Sequence, residues 1–172
     1  MTELEKVIRI LTEVRYLSLA TLGDNSQPWI STIFYAYNKN LDFIWMSKKD
    51  TRHSQNIEKN PSVALNMYWV GPGHDNVDAL YIEAQAQEIT GLRATIASLS
   101  TYTQRLLQQK FFNSSEAKKF LAHPEDFLKE APFRLYKASP TAVYKFVQLE
   151  NWKDKLVDGR LAIPVPEIIK LI

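Results

Sequence analysis

Cysteine is absent from all 172 residues, which removes disulfides, thiolate nucleophiles and Cys-ligated metals from consideration. Glycine is scarce, with five in the chain. No phosphate loop or dinucleotide fingerprint is built from them, so a nicotinamide would have to bind without a Rossmann unit. The histidines, His53, His74 and His123, lie far apart without ligand spacing, and no metal site is expected. Charge of one sign is not in excess either: 21 Lys and Arg face 19 Asp and Glu, for a formal charge of +2. That balance excludes a surface built throughout for nucleic acid. No uninterrupted apolar run reaches about 18 residues, and the first segment mixes acids with bases. Neither a membrane span nor a signal peptide is expected, and a soluble, cytoplasmic protein is the reading. Internal repeats and low-complexity tracts are also missing.

What is present is a chain with 45% hydrophobic residues, long enough to bury a core as a single domain over 1–172. Thr2 with Glu5 fits a capping box, and Leu4, Val7, Ile8, Leu11 and Val14 follow helical spacing, predicting a helix over 3–15. Extended patterns follow at 16–23, 29–37 and 41–47, separated by the turn signals "GDNSQP" and Asn38-Lys39-Asn40. Asp50 or Thr51 can cap a short helix ending at Asn60, before Pro61. Strands are predicted at 62–70 and 79–90 around the loop "GPGHDNVD" (71–78), which reads as a reversal or flap. Residues 92–130 read as largely helical, with Ser114 or Ser115 as a cap and Pro124 as an interruption. "FRLYKAS" and "TAVYKFVQL" close the sheet, and a tail over about 149–172 ends in the apolar "AIPVPEIIKLI". Short antiparallel strands with inserted helices give an α+β protein built on a β-barrel.

The segment "MSKKDTRHSQNIEKNP" (46–61) gathers Lys48, Lys49, Arg52 and His53 at the start of the short helix. A helix N-terminus presents unpaired N–H groups and partial positive charge, and it accepts phosphate readily. Arg52 can grip two phosphate oxygens at once. His53 and Ile57 share a helical face, so His53 should point inward. The other reading, a solvated helix start kept soluble by lysines, stays open on these residues alone. Asp75 and Asp78 read as surface-loop acids beside a polar loop histidine, His74. The four tryptophans read as core or interface residues rather than base-stacking platforms.

"LATLGDNSQPWISTIFYAY", "LDFIWMSKKDTRHSQNIEKNPSVALNMYW" and "FRLYKASPTAVYKF" resemble the pyridoxamine 5′-phosphate oxidase-like superfamily of FMN-binding split β-barrels. The resemblance covers roughly 10–90 and 133–148. It implies a split barrel of mainly antiparallel strands with peripheral helices, of which 92–130 would be an insertion. It also implies a homodimer with FMN at the subunit interface. Ser31, Thr32 and Ile33 would lie on the strand facing the flavin, and Met46 and Ser47 at the end of the next. Thr51, Arg52 and His53 match the Ser/Thr-Arg-Lys that holds the FMN phosphate, and Phe146 matches a C-terminal aromatic near the isoalloxazine. The oxidase proper usually has Arg in place of Ser31 and a substrate-binding Lys in place of Ala36. Its Arg-x-His motif is replaced here by "VQLENWKDK", and His53 stands for Lys, which would make part of the phosphate charge pH-dependent. The resemblance thus implies an FMN-dependent oxidoreductase of unknown small-molecule substrate, with a non-catalytic flavin, F420 or haem carrier as the alternative.

Overall fold

A computed structural model describes residues 1–72, 77–152 and 155–172, with backbone alone for 148–152 and 155–158. His74 and Asp75, with half of the expected reversal (73–76), lie outside the described residues. The chain runs α1 (Glu3–Glu13), β1 (Tyr16–Leu22), β2 (Pro28–Phe34), β3 (Ala36–Tyr37), β4 (Phe43–Lys48), α2 (Arg52–Lys59), β5 (Ser62–Val70), β6 (Val77–Glu88), α3 (Leu92–Gln108), α4 (Ser114–Leu121), β7 (Phe133–Trp152), β8 (Lys155–Ala162) and α5 (Val165–Ile169). One antiparallel sheet follows the order β2-β1-β5-β6-β7-β4-β3, with β8 also paired to β7. It curls into an open half-barrel with the helices around it, the α+β class that the periodicities predict. Among the described residues no helix is long and apolar enough to cross a membrane.

α1 forms where expected because both halves of the Thr2–Glu5 capping box are made, stabilising its start by about 1 kcal/mol. Its Val7, Ile10 and Leu11 are buried against Leu17, Leu19, Phe43, Trp45 and Leu80 of the sheet. Its C-terminal end carries no basic residue of its own. Arg105 of α3 supplies the cation instead, its Nη2 donating to the Leu11 and Val14 carbonyls at 3.0 Å each. α4 is capped by Asn113 through a capping box with Glu116, one residue ahead of the serines the sequence suggested; the Asn amide oxygen outcompetes the hydroxyls at that corner.

Three further differences have clear physical causes. "FRLYKAS" and "TAVYKFVQL" are one strand, β7, because a bulge absorbs Pro140, which has no N–H to donate. The tail holds a strand, β8, paired with β7 from Tyr144–Ala162 to Trp152–Lys155; Asp158 and Gly159 mask its period in the sequence. Asp78 is not a surface-loop acid. It lies in β6, 4% exposed, with Oδ1 2.7 Å from Lys145 Nζ and Oδ2 3.4 Å from Arg9 Nη2. Lys145 Nζ also meets Glu3 Oε2 at 2.8 Å and donates to the Phe146 carbonyl.

Candidate functional site

β2 and β4 deliver their side chains to the first turn of α2. Period-2 alternation along β2 puts Trp29 and Ser31 on one face, and β4 ends with Ser47 buried beside them. α2 is anchored from behind by Ile57, which is buried in the core, and by Asn56, whose Nδ2 donates to Thr21 Oγ1 at 2.9 Å. A Cβ at Gly23 would come within 3.1 Å of Asn56 Oδ1, so a side chain there would press on Asn56 and push it by a few tenths of an ångström.

His53 is the centre of the cluster and points inward, as its spacing from Ile57 predicts. Nε2 lies 2.7 Å from Ser47 Oγ and 3.2 Å from Thr51 Oγ1, and Nδ1 lies 3.1 Å from Ser31 Oγ. Donor counting favours one tautomer. The Trp29 indole N–H donates to Ser31 Oγ at 3.0 Å and takes one of its lone pairs, which favours donation of the Ser31 proton to Nδ1. Thr51 donates its proton to the Lys48 carbonyl and is left to accept, which favours hydrogen on Nε2, facing Thr51 and Ser47. Burial holds the imidazole below the usual histidine range. The ring is therefore neutral at neutral pH, and the charge expected from this position is missing there.

Thr51 occupies the N-cap position of α2 but makes no cap bond through its side chain. Its hydroxyl is turned to Lys48, His53 and Ser54. α2 also lacks an acid in its first turn. Its leading N–H groups, with the positive end of the helix dipole, are thus left without a capping side chain. Arg52 stands beside them, exposed, and among the described residues it has no carboxylate partner. Its Cζ lies 4.3 Å from the Trp29 ring centroid. Lys48 and Lys49 are exposed nearby and contribute field rather than contact. Chemically this corner can hold an oxyanion, by a fixed guanidinium, backbone N–H groups and neutral hydroxyls.

Of the residues singled out in the sequence, Ser31, Ser47, Thr51, Arg52 and His53 come together. Thr32 is exposed on the opposite face of β2, and Ile33 is part of the main core. The Met46 side chain packs on the clusters under α3 and α4, so only its backbone runs beside the site. Phe146 is not brought there: Met46 pairs with Leu135 of β7, and Phe146 pairs with Arg160, on the order of 30 Å along the strand. Trp29 and Ser54 join the cluster unannounced; the alternation that pairs Trp29 with Ser31 was the available signal.

Away from this corner, the outer face of the sheet forms a groove of about 500 Å³ lined by Ala20, Ile30, Asn66, Tyr81, Tyr144 and Arg160. Ile30, Tyr68 and Val70 are 66%, 58% and 62% exposed, a large apolar surface for a chain of this size. On the other side, Ala36 is 1% exposed beneath Tyr102 and Leu106 of α3.

The comparisons with known proteins agree with this fold. A curated pyridoxine/pyridoxamine 5′-phosphate oxidase of Rippkaea orientalis is 33% identical over 60 residues, 35% of this chain and 28% of that protein. The matched stretch thus spans less than a third of the curated relative. Among solved structures, a conserved hypothetical protein of Mycobacterium tuberculosis superimposes with a TM-score of 0.64 at 17% identity, covering 83% of this chain and 82% of that one. The haem storage protein HutZ of Vibrio cholerae superimposes with a TM-score of 0.60 at 17% identity, covering 83% and 94%. At those identities they share the fold. The profile of the family described as Pyridoxamine 5′-phosphate oxidase matches residues 4–144, from α1 to partway along β7, and the chain belongs to that family.

Proposed function

We propose that this protein binds FMN as a homodimer and uses it as an oxidoreductase on a small molecule other than pyridoxamine 5′-phosphate. The observation that carries the reading is the start of α2: leading N–H groups without a capping side chain beside an Arg with no carboxylate partner among the described residues. Such a corner suits a phosphate monoester. Thr51, Arg52 and the α2 backbone would hold the phosphate, and Ser31 and Ser47, fixed by neutral His53, would present hydroxyls alongside. Bound flavin would supply the hydride and electron chemistry, while the chain orients it and excludes water.

Two features support a second copy. The exposed apolar face around Ile30, Tyr68 and Val70 calls for cover, and within one chain Phe146 is remote from Arg52. The substrate reading rests on Ala36. The oxidase's substrate-binding Lys has no equivalent there, and α3 covers the position. At this corner haem is the less favoured occupant, because both ring nitrogens of His53 are engaged by hydroxyls.

Purified protein should be yellow or take up FMN with quenching of flavin fluorescence. Arg52→Ala should weaken FMN binding about tenfold or more, the scale of a charge-assisted hydrogen bond. A colourless chain that leaves added FMN fluorescence unchanged would sink the flavin reading. Bleaching by a reduced nicotinamide in stopped flow separates enzyme from carrier.

A further inference from the structure

Resting on the phosphate reading of the α2 corner, we infer that Trp29 is a positioning residue of that site: its indole face aims Arg52, and its N–H sets the Ser31–His53 hydroxyl line. Trp29 is 38% exposed, so it is a poor core residue, and a large indole left in water needs another use. Its ring lies 4.3 Å from Arg52 Cζ. A guanidinium stacked on an aromatic uses its face and leaves its five N–H donors free around the edge. Arg52 is thereby held at the mouth of α2 with its hydrogen-bonding capacity unspent, where a flexible cation would lose rotamer freedom on binding.

The second half of the role runs through the indole N–H, which can only donate. By donating to Ser31 Oγ at 3.0 Å it takes one lone pair of that oxygen and favours donation of the Ser31 proton to His53 Nδ1 at 3.1 Å. That in turn places the imidazole hydrogen on Nε2, facing Ser47 and Thr51. One side chain on β2 thus fixes both the cation and the neutral hydroxyls of the corner. A chain lacking it would keep every contact residue and lose their preorganisation.

The experiment is an FMN titration, read by flavin fluorescence, on the full chain and on Trp29→Leu, Trp29→Phe, Arg52→Ala and the Trp29→Leu/Arg52→Ala pair. Trp29→Leu should bind about fivefold or more weakly. Trp29→Phe, which keeps a ring face and loses the N–H, should fall between it and the unaltered chain. With Arg52 gone, Trp29→Leu should cost much less than it does alone, because part of its effect passes through that cation. Nitrogen-15 shifts of His53 should report the Nε2–H tautomer in the unaltered chain and a loss of that preference in Trp29→Phe. Should Trp29→Leu fail to fold, Trp29→Phe and the His53 shifts still decide the matter. Equal affinity in the Trp29 variants, or fully multiplicative effects of Trp29→Leu and Arg52→Ala, overturns the role. No FMN binding by the unaltered chain overturns the phosphate reading itself, and the role with it.

Discussion

Replacing Lys145 by Met should destabilise the fold by about 3 kcal/mol, and the structure fixes that magnitude from the groups left behind. The Lys145 side chain is 3% exposed and Asp78 6%, so water cannot take over the carboxylate when the ammonium is removed. Breaking a buried ion pair from one side costs about 3–5 kcal/mol, chiefly through the stranded charge. Arg9 stays 3.4 Å from Asp78 Oδ2 and places the loss at the lower end of that range. The second carboxylate, Glu3, is 35% exposed; it recovers hydration and adds about 1 kcal/mol at most. At roughly 2–4 °C per kcal/mol for a chain of this length, Tm should fall by about 6–12 °C in circular-dichroism melts. Adding Asp78→Asn to Lys145→Met removes the stranded charge and should return part of the loss. The acid limb also changes. Burial pushes the Glu3 carboxyl up, and Lys145 with Lys6 outweighs it, holding it below the ordinary range. That contribution is present above the unfolded value and lost as pH falls through the folded one, so the variant should lose less stability on acidification. A Tm drop under about 3 °C, or a double variant as unstable as the sum of the singles, would refute the reasoning.

Two further outcomes follow from buried groups elsewhere. His53 has its pKa lowered by burial, so the unfolded chain takes a proton first. Its contribution to stability is present above the ordinary histidine value and lost as pH falls through the folded one. His53→Gln should therefore flatten the acid side of a plot of urea midpoint against pH, and an imidazole resonance of His53 titrating at or above about 6.5 would contradict this. Arg105→Met removes two charged donors from the C-terminal carbonyls of α1 and should cost about 2–3 kcal/mol in urea unfolding, with the slope unchanged. An unchanged midpoint would mean that water caps those carbonyls equally well.

The elements of this fold were legible wherever one local signal dominated. Thr2–Glu5 announced α1, and Pro61 ended the predicted α2 one residue past its last helical position. Signals failed where two requirements met in one residue. Pro140 looked like a strand end because its missing donor is only harmless at a bulge, and the bulge depends on pairing with β6. Asp78 looked like a loop acid because its partner Lys145 is distant in sequence. At the candidate site, the contact residues could be named from spacing and resemblance. The state of His53 could not, since it depends on three hydroxyls from β2, β4 and the α2 cap. Trp29 was overlooked for a related reason: its two roles appear only when Arg52 and Ser31 are set side by side.

The bulge in β7 has a consequence for how the strand can vary. Tyr136 and Ala138 face the main core before it, whereas Val143 and Lys145 face inward after it. Even-numbered positions thus give way to odd-numbered ones across Pro140 and Thr141, where the pairing with β6 shifts register. The bulge acts as a phase shifter between two otherwise independent messages. The first half is written to stack Tyr136 on Trp45 behind α2, the second to carry Lys145 to Asp78. Deleting Thr141 would leave Pro140 opposite Ala84 and Ala142 opposite Glu83, so Val143 and Lys145 would still face inward, but Pro140 would interrupt the ladder with no bulge to absorb it. The length of β7 can therefore change by one residue at the bulge without turning either half, whereas a change within either half would slip its side chains against their partners.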